Sequence, residues 1–280
     1  MKRIYLAIPI VIAAVLAFST KASGVKPDFQ AGEVKNPVTG DPKKTVALPS
    51  TAIEMAPNIY YLGSSNDRDG RQVEGYAFIH RYNKLGNYAK PPKSPDSCYT
   101  FLSRGAKWRV LEPWIVNPAN TRGLEADFIA GNLGSDVGKW ETAATKDILG
   151  EGAAIADVLV ADTQSPDGNN EVYFADVDSP GAIAVSIIWG IFAGPPQTRE
   201  LVEWDQVYDD TDYDWSSTGE ATKMDFENIA THELGHSVGL GDLYQSACAE
   251  QTMYGYAGFG ETKKQTLEAG DIAGAVKLYQ

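Results

Sequence analysis

His232-Glu-Leu-Gly-His236-Ser-Val-Gly239-Leu-Gly-Asp242 puts two imidazoles, three carboxylate or imidazole ligand candidates and a proton acceptor within eleven residues. On a helix, positions 232 and 236 lie one turn apart on one face, so both rings can reach a single ion. Zinc suits them, because it takes neutral imidazole nitrogen at about 2.0–2.1 Å and a reactive centre needs only three protein ligands. Glu233, beside the first ligand, is placed to take a proton from a metal-bound water. Gly239 permits a positive-φ break, after which the chain can turn and present Asp242 as third ligand. The bland alternative is a surface helix with two solvated histidines. Against it, the chain has only three histidines, and two of them fall at this spacing.

Further along the chain, Thr252-Met253-Tyr254-Gly255-Tyr256 and Leu267-Glu-Ala-Gly-Asp271-Ile-Ala-Gly-Ala-Val-Lys-Leu-Tyr279 continue the pattern. Together with the first motif they resemble the metzincins, zinc endopeptidases of the form HExxHxxGxx(H/D) followed by a methionine-containing turn. The likeness is to the matrixin branch and runs from about residue 106 to 280. The aspartate at 242 resembles snapalysin-type members, since most matrixins carry histidine there. The resemblance implies an α+β fold: a twisted five-stranded mixed sheet, an active-site helix, a Met-turn with Met253 as apolar floor, and a C-terminal helix. It also implies an edge strand that pairs with an extended peptide, here Ile183-Ala-Val185-Ser-Ile187-Ile-Trp189, and a primed-side pocket beside Gly255 and Tyr256.

The residues between these landmarks fit that order. Val110–Val116, Ile155–Val160, Val172–Val177, Ile183–Phe192 and Leu201–Val207 read as strands from their β-branched and aromatic content. Leu124, Phe128, Leu133, Val137 and Trp140 recur at helical spacing over 122–146. Thr222-Lys-Met-Asp225 has capping-box spacing and opens the helix that carries the two histidines. Asp209-Asp-Thr-Asp-Tyr-Asp214 offers oxygen ligands suited to calcium, or is a solvated acidic loop.

Upstream, Met-Lys-Arg followed by Ile4–Phe18 reads as a secretory signal over 1–22, too short to span a bilayer. Residues 23–105 read as an N-terminal extension or prosegment. They contain a hairpin pattern (Asn58–Leu62, Val73–Ile79) and a proline-rich linker at Lys90–Pro95. Residues 106–280 are the expected catalytic unit. Cys98 and Cys248 remain open between a disulfide, a cysteine switch on the metal and two unpaired thiols. The net charge of −13 disfavours nucleic acid and anionic membrane as partners. The expectation is a secreted zinc endopeptidase acting on protein or peptide. A metal-binding module without turnover, or a secreted surface protein with an incidental motif, are the alternatives.

Overall fold

The computed structural model describes residues 44–83 and 96–280. The signal segment, the start of the extension and the proline-rich linker therefore lie outside the described residues. No helix among the described residues is long and apolar enough to cross a membrane.

The strands are β1 (Thr45–Val46), β2 (Ile53–Ala56), β3 (Ile59–Asn66), β4 (Gln72–Tyr82), β5 (Trp114–Val116), β6 (Gly152–Ala154), β7 (Asn170–Val177), β8 (Ala182–Ile191), β9 (Glu200–Asp209), β10 (Trp215–Ser216), β11 (Met224–Asp225) and β12 (Tyr256–Ala257). The helices are α1 (Ala126–Ala144), α2 (Phe226–Ser237) and α3 (Ala269–Tyr279). The fold is mixed α/β, and its main sheet has ten strands rather than five. Its backbone order is β2-β3-β4-β8-β9-β7-β5-β6, with β1 added to β7 and β12 to β4.

Four of the five extra strands, β1 to β4, come from the N-terminal extension, and the fifth, β12, follows the Met253 turn. The hairpin forms, with β3 and β4 antiparallel from Ile59↔Phe78 to Asn66↔Gln72. It does not stand apart, however: β4 runs antiparallel along β8 from Glu74↔Gly190 to Arg81↔Ala182. This corrects the expectation for Ile183, Val185 and Ile187. β8 is an interior strand, since β9 covers its other side from Ala184↔Tyr208 to Ile191↔Glu200. Its sequence agrees with that position. Nine of its ten residues are buried, and a run that is apolar apart from Ser186 is what a strand covered on both faces needs.

Three further differences are local. The strand expected at Ile155–Val160 ends at Ala154, and Val158 and Val160 are exposed. The cap of α2 is Asp225, which accepts from the Asn228 N–H, rather than Thr222. The first core strand is also shorter than expected, starting at Trp114.

The two faces of the sheet bury separate cores. On one, α1 and α2 press Trp140, Trp204, Tyr208, Trp215 and Phe226 together. On the other, Val73, Ala77 and Ile79 of β4 join Val185, Ile187 and Trp189 of β8. Burying a Val, Ile or Phe side chain contributes roughly 1.5–3 kcal/mol, so β4 is held by both its faces. Cys98 and Cys248 form a disulfide that ties the segment before the core to the loop after Asp242, with Cα atoms 5.6 Å apart.

At the start of β9 the sheet carries a largely buried acidic group. Asp162, Asp167 and Glu203 converge, and Asp205 and Glu171 lie beside them, joined through backbone N–H bonds at Asp162 and Glu171. Burial pushes Glu171 up to about 7, and burial with neighbouring carboxylates raises Glu203 and Asp205. An acid whose folded-state pKa is raised loses stability as pH climbs from its unfolded value towards its folded one. In chelator-treated buffer the melting temperature should therefore fall by several degrees between pH 5 and pH 8, at roughly 2–4 °C per kcal/mol. Glu203→Gln should flatten that slope, and an unchanged slope in calorimetry would count against the assignment.

Candidate metal centre

Helix α2 presents the first two candidate ligands because its cap and its break are both fixed. Asp225 starts it, and the main-chain N–H of Leu240 returns to Gly235 C=O across Gly239, whose φ is +109°. Only glycine adopts that conformation without strain, and the turn directs Asp242 back at the helix. The result is a convergence of His232, His236 and Asp242.

Their geometry fits one tetrahedral ion. Asp242 Oδ1 lies 3.2 Å from His232 Nε2 and 3.5 Å from His236 Nε2. Ligand bonds of about 2.1 Å in a tetrahedron give ligand–ligand edges of about 3.4 Å. His232 Nε2 and Asp242 Oδ1 are also buried without any hydrogen-bond partner, which is costly unless something else satisfies them. The far side of each ligand is held. His232 Nδ1 donates to Thr252 C=O at 2.6 Å and His236 Nδ1 to Leu240 C=O at 3.0 Å, leaving Nε2 as the free nitrogen in both. Tyr244 O–H donates to Asp242 Oδ2 at 3.0 Å.

The electrostatics agree with this arrangement. Burial, then the nearby Lys264 ammonium, holds His232 down to about 3, so its imidazole stays neutral. Burial opposes the charge on Asp242, but His236 and His232 together hold its carboxyl well below the usual range. His236 is raised: burial disfavours its cation, and Asp242 outweighs that.

Glu233 lies on the same helix, fully buried. Its Oε2 accepts from Ser186 O–H at 2.7 Å, and its Oε1 lies 2.9 Å from His80 Nδ1. Burial pushes its carboxyl up to about 7 against the pull of His236 and Ser186. A carboxyl poised there exchanges protons readily near neutral pH.

Met253 sits beneath the helix at Gly235, where a Cβ would lie 2.1 Å from the Met253 sulfur. Glycine at 235 is thus what lets the methionine lie against the helix backbone. Asp271 of α3 fastens the turn, accepting from the N–H groups of Thr252 and Met253 at 2.8 and 3.1 Å. Gly255 N–H bonds to Leu243 C=O at 2.9 Å, and Tyr256 opens β12.

Three participants were not foreseen. Ser186 comes from β8, Lys264 from the stretch before α3, and His80 from β4. Lys264 is fully buried, its ammonium donating to Tyr254 C=O and lying 3.0 Å from His80 Nε2. Burial brings it down to about 8. The His80 ring lies 3.9 Å from that of His232 between centroids. No local spacing could flag His80, since 153 residues separate it from Glu233.

The acidic run 209–214 is spent differently. Asp209 accepts from the N–H groups of Val177, Thr211 and Asp212, Asp210 from Thr121, and Asp214 pairs with Arg122. These carboxylates secure the turn after β9, and calcium there draws no support.

The family model described as Matrixin matches residues 195–280, a span that holds α2, all three candidate ligands, the Met253 turn and α3. No curated protein matches the chain. Over that C-terminal segment, less than a third of the chain, it is similar to the matrixins, a family of zinc-dependent peptidases.

Proposed function

We propose that this protein is a secreted zinc-dependent endopeptidase, with His232, His236 and Asp242 as ligands and Glu233 as general base. The observation that carries the reading is the trio of converging ligand atoms at tetrahedral spacing, two of them buried and unpartnered, with a carboxylate beside them. A bound zinc supplies Lewis acidity, polarising a scissile carbonyl and acidifying a water. Glu233 then accepts the proton of the attacking water and returns it to the leaving amine. Ser186 holds the Glu233 carboxylate in one orientation, and the carbonyls of Thr252 and Leu240 fix the histidine tautomers. Met253 fills the space under the ligands without ligating, as an adaptable apolar side chain. Secretion is supported by the apolar, positively flanked start of the sequence and by the Cys98–Cys248 disulfide, a bond favoured in oxidising compartments.

The test is metal content in ligand variants. Purified protein should hold one zinc per chain, and His232→Ala or His236→Ala should hold almost none, because two protein ligands retain zinc poorly. Asp242→Ala should bind zinc at least about tenfold more weakly, and Asp242→His should retain it. Unchanged zinc content in Asp242→Ala would show that the third ligand lies elsewhere.

A further inference from the structure

We infer that Lys264 selects the substrate: its buried ammonium takes the carboxylate of an aspartate or glutamate placed directly after the bond that is cut. The inference rests on the peptidase reading above and deepens it by naming the side-chain class that the site accepts.

Lys264 lies fully buried in the short turn Lys263–Gln265. Its N–H donates to Asn228 Oδ1 at 2.8 Å, which ties it to α2. The ammonium donates to Tyr254 C=O and lies 3.0 Å from His80 Nε2 and 3.5 Å from His232 Nδ1. No carboxylate among the described residues forms an ion pair with it. Glu261 attracts it from further off but makes its own pair with Lys263, at 3.7 Å. A buried ammonium that meets only neutral acceptors is costly, and buried charges are ordinarily matched by an opposite one. The chain supplies no such anion here, which leaves the place for one brought by a ligand.

The surroundings of the ammonium decide which ligand group reaches it. One imidazole bridges the base and the lysine. His80 Nδ1 donates to Glu233 Oε1 at 2.9 Å, so Nε2 is left as the acceptor that faces Lys264. The same ring lies against His232, with 3.9 Å between centroids. The gap from Glu233 to Lys264 is thus one ring wide, within the reach of a short acidic side chain. Glu233 returns its proton to the leaving amine, so the residue carrying that amine starts its side chain beside Glu233. A carboxylate on this residue takes the place of the His80 ring and meets the ammonium with a full opposite charge. An amide of the same size brings none.

The experiment gives the full, zinc-loaded chain a mixture of peptides and reads the cleavage positions by mass spectrometry. The best peptide is then remade in matched pairs, Glu against Gln and Asp against Asn after the cut. The acid should be favoured in kcat/KM by roughly 10–100-fold, the worth of a charge-assisted hydrogen bond. Lys264→Met should bring that ratio close to one, and Lys264→Gln serves if the first variant lacks a cooperative melt. A lysine with only a structural part would lower both members of a pair alike. Acid and amide cut equally by the parent, or a preference that survives loss of the ammonium, overturns the inference.

A binding measurement stands apart from hydrolysis. His80→Ala empties the ring-sized space and keeps Lys264. Acetate should then bind beside the ammonium and raise the melting temperature by about 3–6 °C at ten times its Kd, with acetamide inactive and ionic strength held constant. The parent and the double variant His80→Ala, Lys264→Met should not respond. Acetate that leaves His80→Ala unmoved, or that acts equally on the double variant through the metal, overturns the inference even if peptides are cut. Lys264-dependent acetate binding in a protein that cuts no peptide supports the anion site and refutes the peptidase reading instead.

Discussion

Glu233→Gln should lower peptide hydrolysis by about 10²–10⁴-fold, the usual range for loss of a general base, while leaving one zinc per chain. The amide keeps the size of the carboxylate and can still accept from Ser186, so the packing around α2 has no reason to change. What it lacks is the capacity to take a proton. The measurement compares the cleavage rates of parent and variant at equal zinc content. A Glu233→Gln protein that cleaves at nearly the parent rate would remove Glu233 from the mechanism. Loss of zinc together with activity would assign it a structural part instead.

The largest expected effect on stability is loss of the Cys98–Cys248 bond. It closes a loop with a sequence separation of 150. Loop-closure entropy for that length is worth about 5 kcal/mol in the unfolded chain, and measured losses of native disulfides run to roughly 2–5 kcal/mol. The bond also has a local task. Gly270 at the start of α3 lies so near the Cys98 backbone that a Cβ there would meet its carbonyl oxygen at 2.2 Å, and Gln251, three residues from Cys248, accepts from Gly270 N–H at 2.7 Å. Loss of the bond loosens the segment beneath the Met253 turn that Asp271 fastens. A Cys98→Ala, Cys248→Ala double variant should unfold at a denaturant concentration lower by that energy divided by the slope of the transition. A difference below about 1 kcal/mol would mean that the unfolded chain gains little from release of the loop.

The convergence of His232, His236 and Asp242 was legible in the sequence because its logic is local. Two ligands and the base share one helix, a glycine turns the chain, and the third ligand follows within six residues of His236, so helical geometry alone brings them near one another. The strands β7, β8 and β9 were legible from β-branched composition, and the hairpin of β3 and β4 from two apolar runs flanking a polar turn. What could not be read was the partner of β8. Its apolar run, broken by Ser186, shows that both faces are covered but is silent on which strand lies beside it. That neighbour comes from a segment about a hundred residues earlier in the chain. The same distance hid His80, whose meeting with Glu233 depends wholly on that pairing. The calcium reading of residues 209–214 draws no support, for the opposite reason. An acidic run looks the same in sequence whether its oxygens face an ion or, as Asp209 does, gather backbone N–H groups into a turn.

The central claim, that one zinc held by His232, His236 and Asp242 supports hydrolysis, is tested most directly by adding zinc stepwise to metal-stripped protein and following the cleavage rate. The rate should rise in proportion to zinc, reach a plateau at one equivalent, and stay at background throughout in His236→Ala. Cleavage that persists in the stripped protein, or a rate indifferent to added zinc while His236→Ala matches the parent, would contradict it.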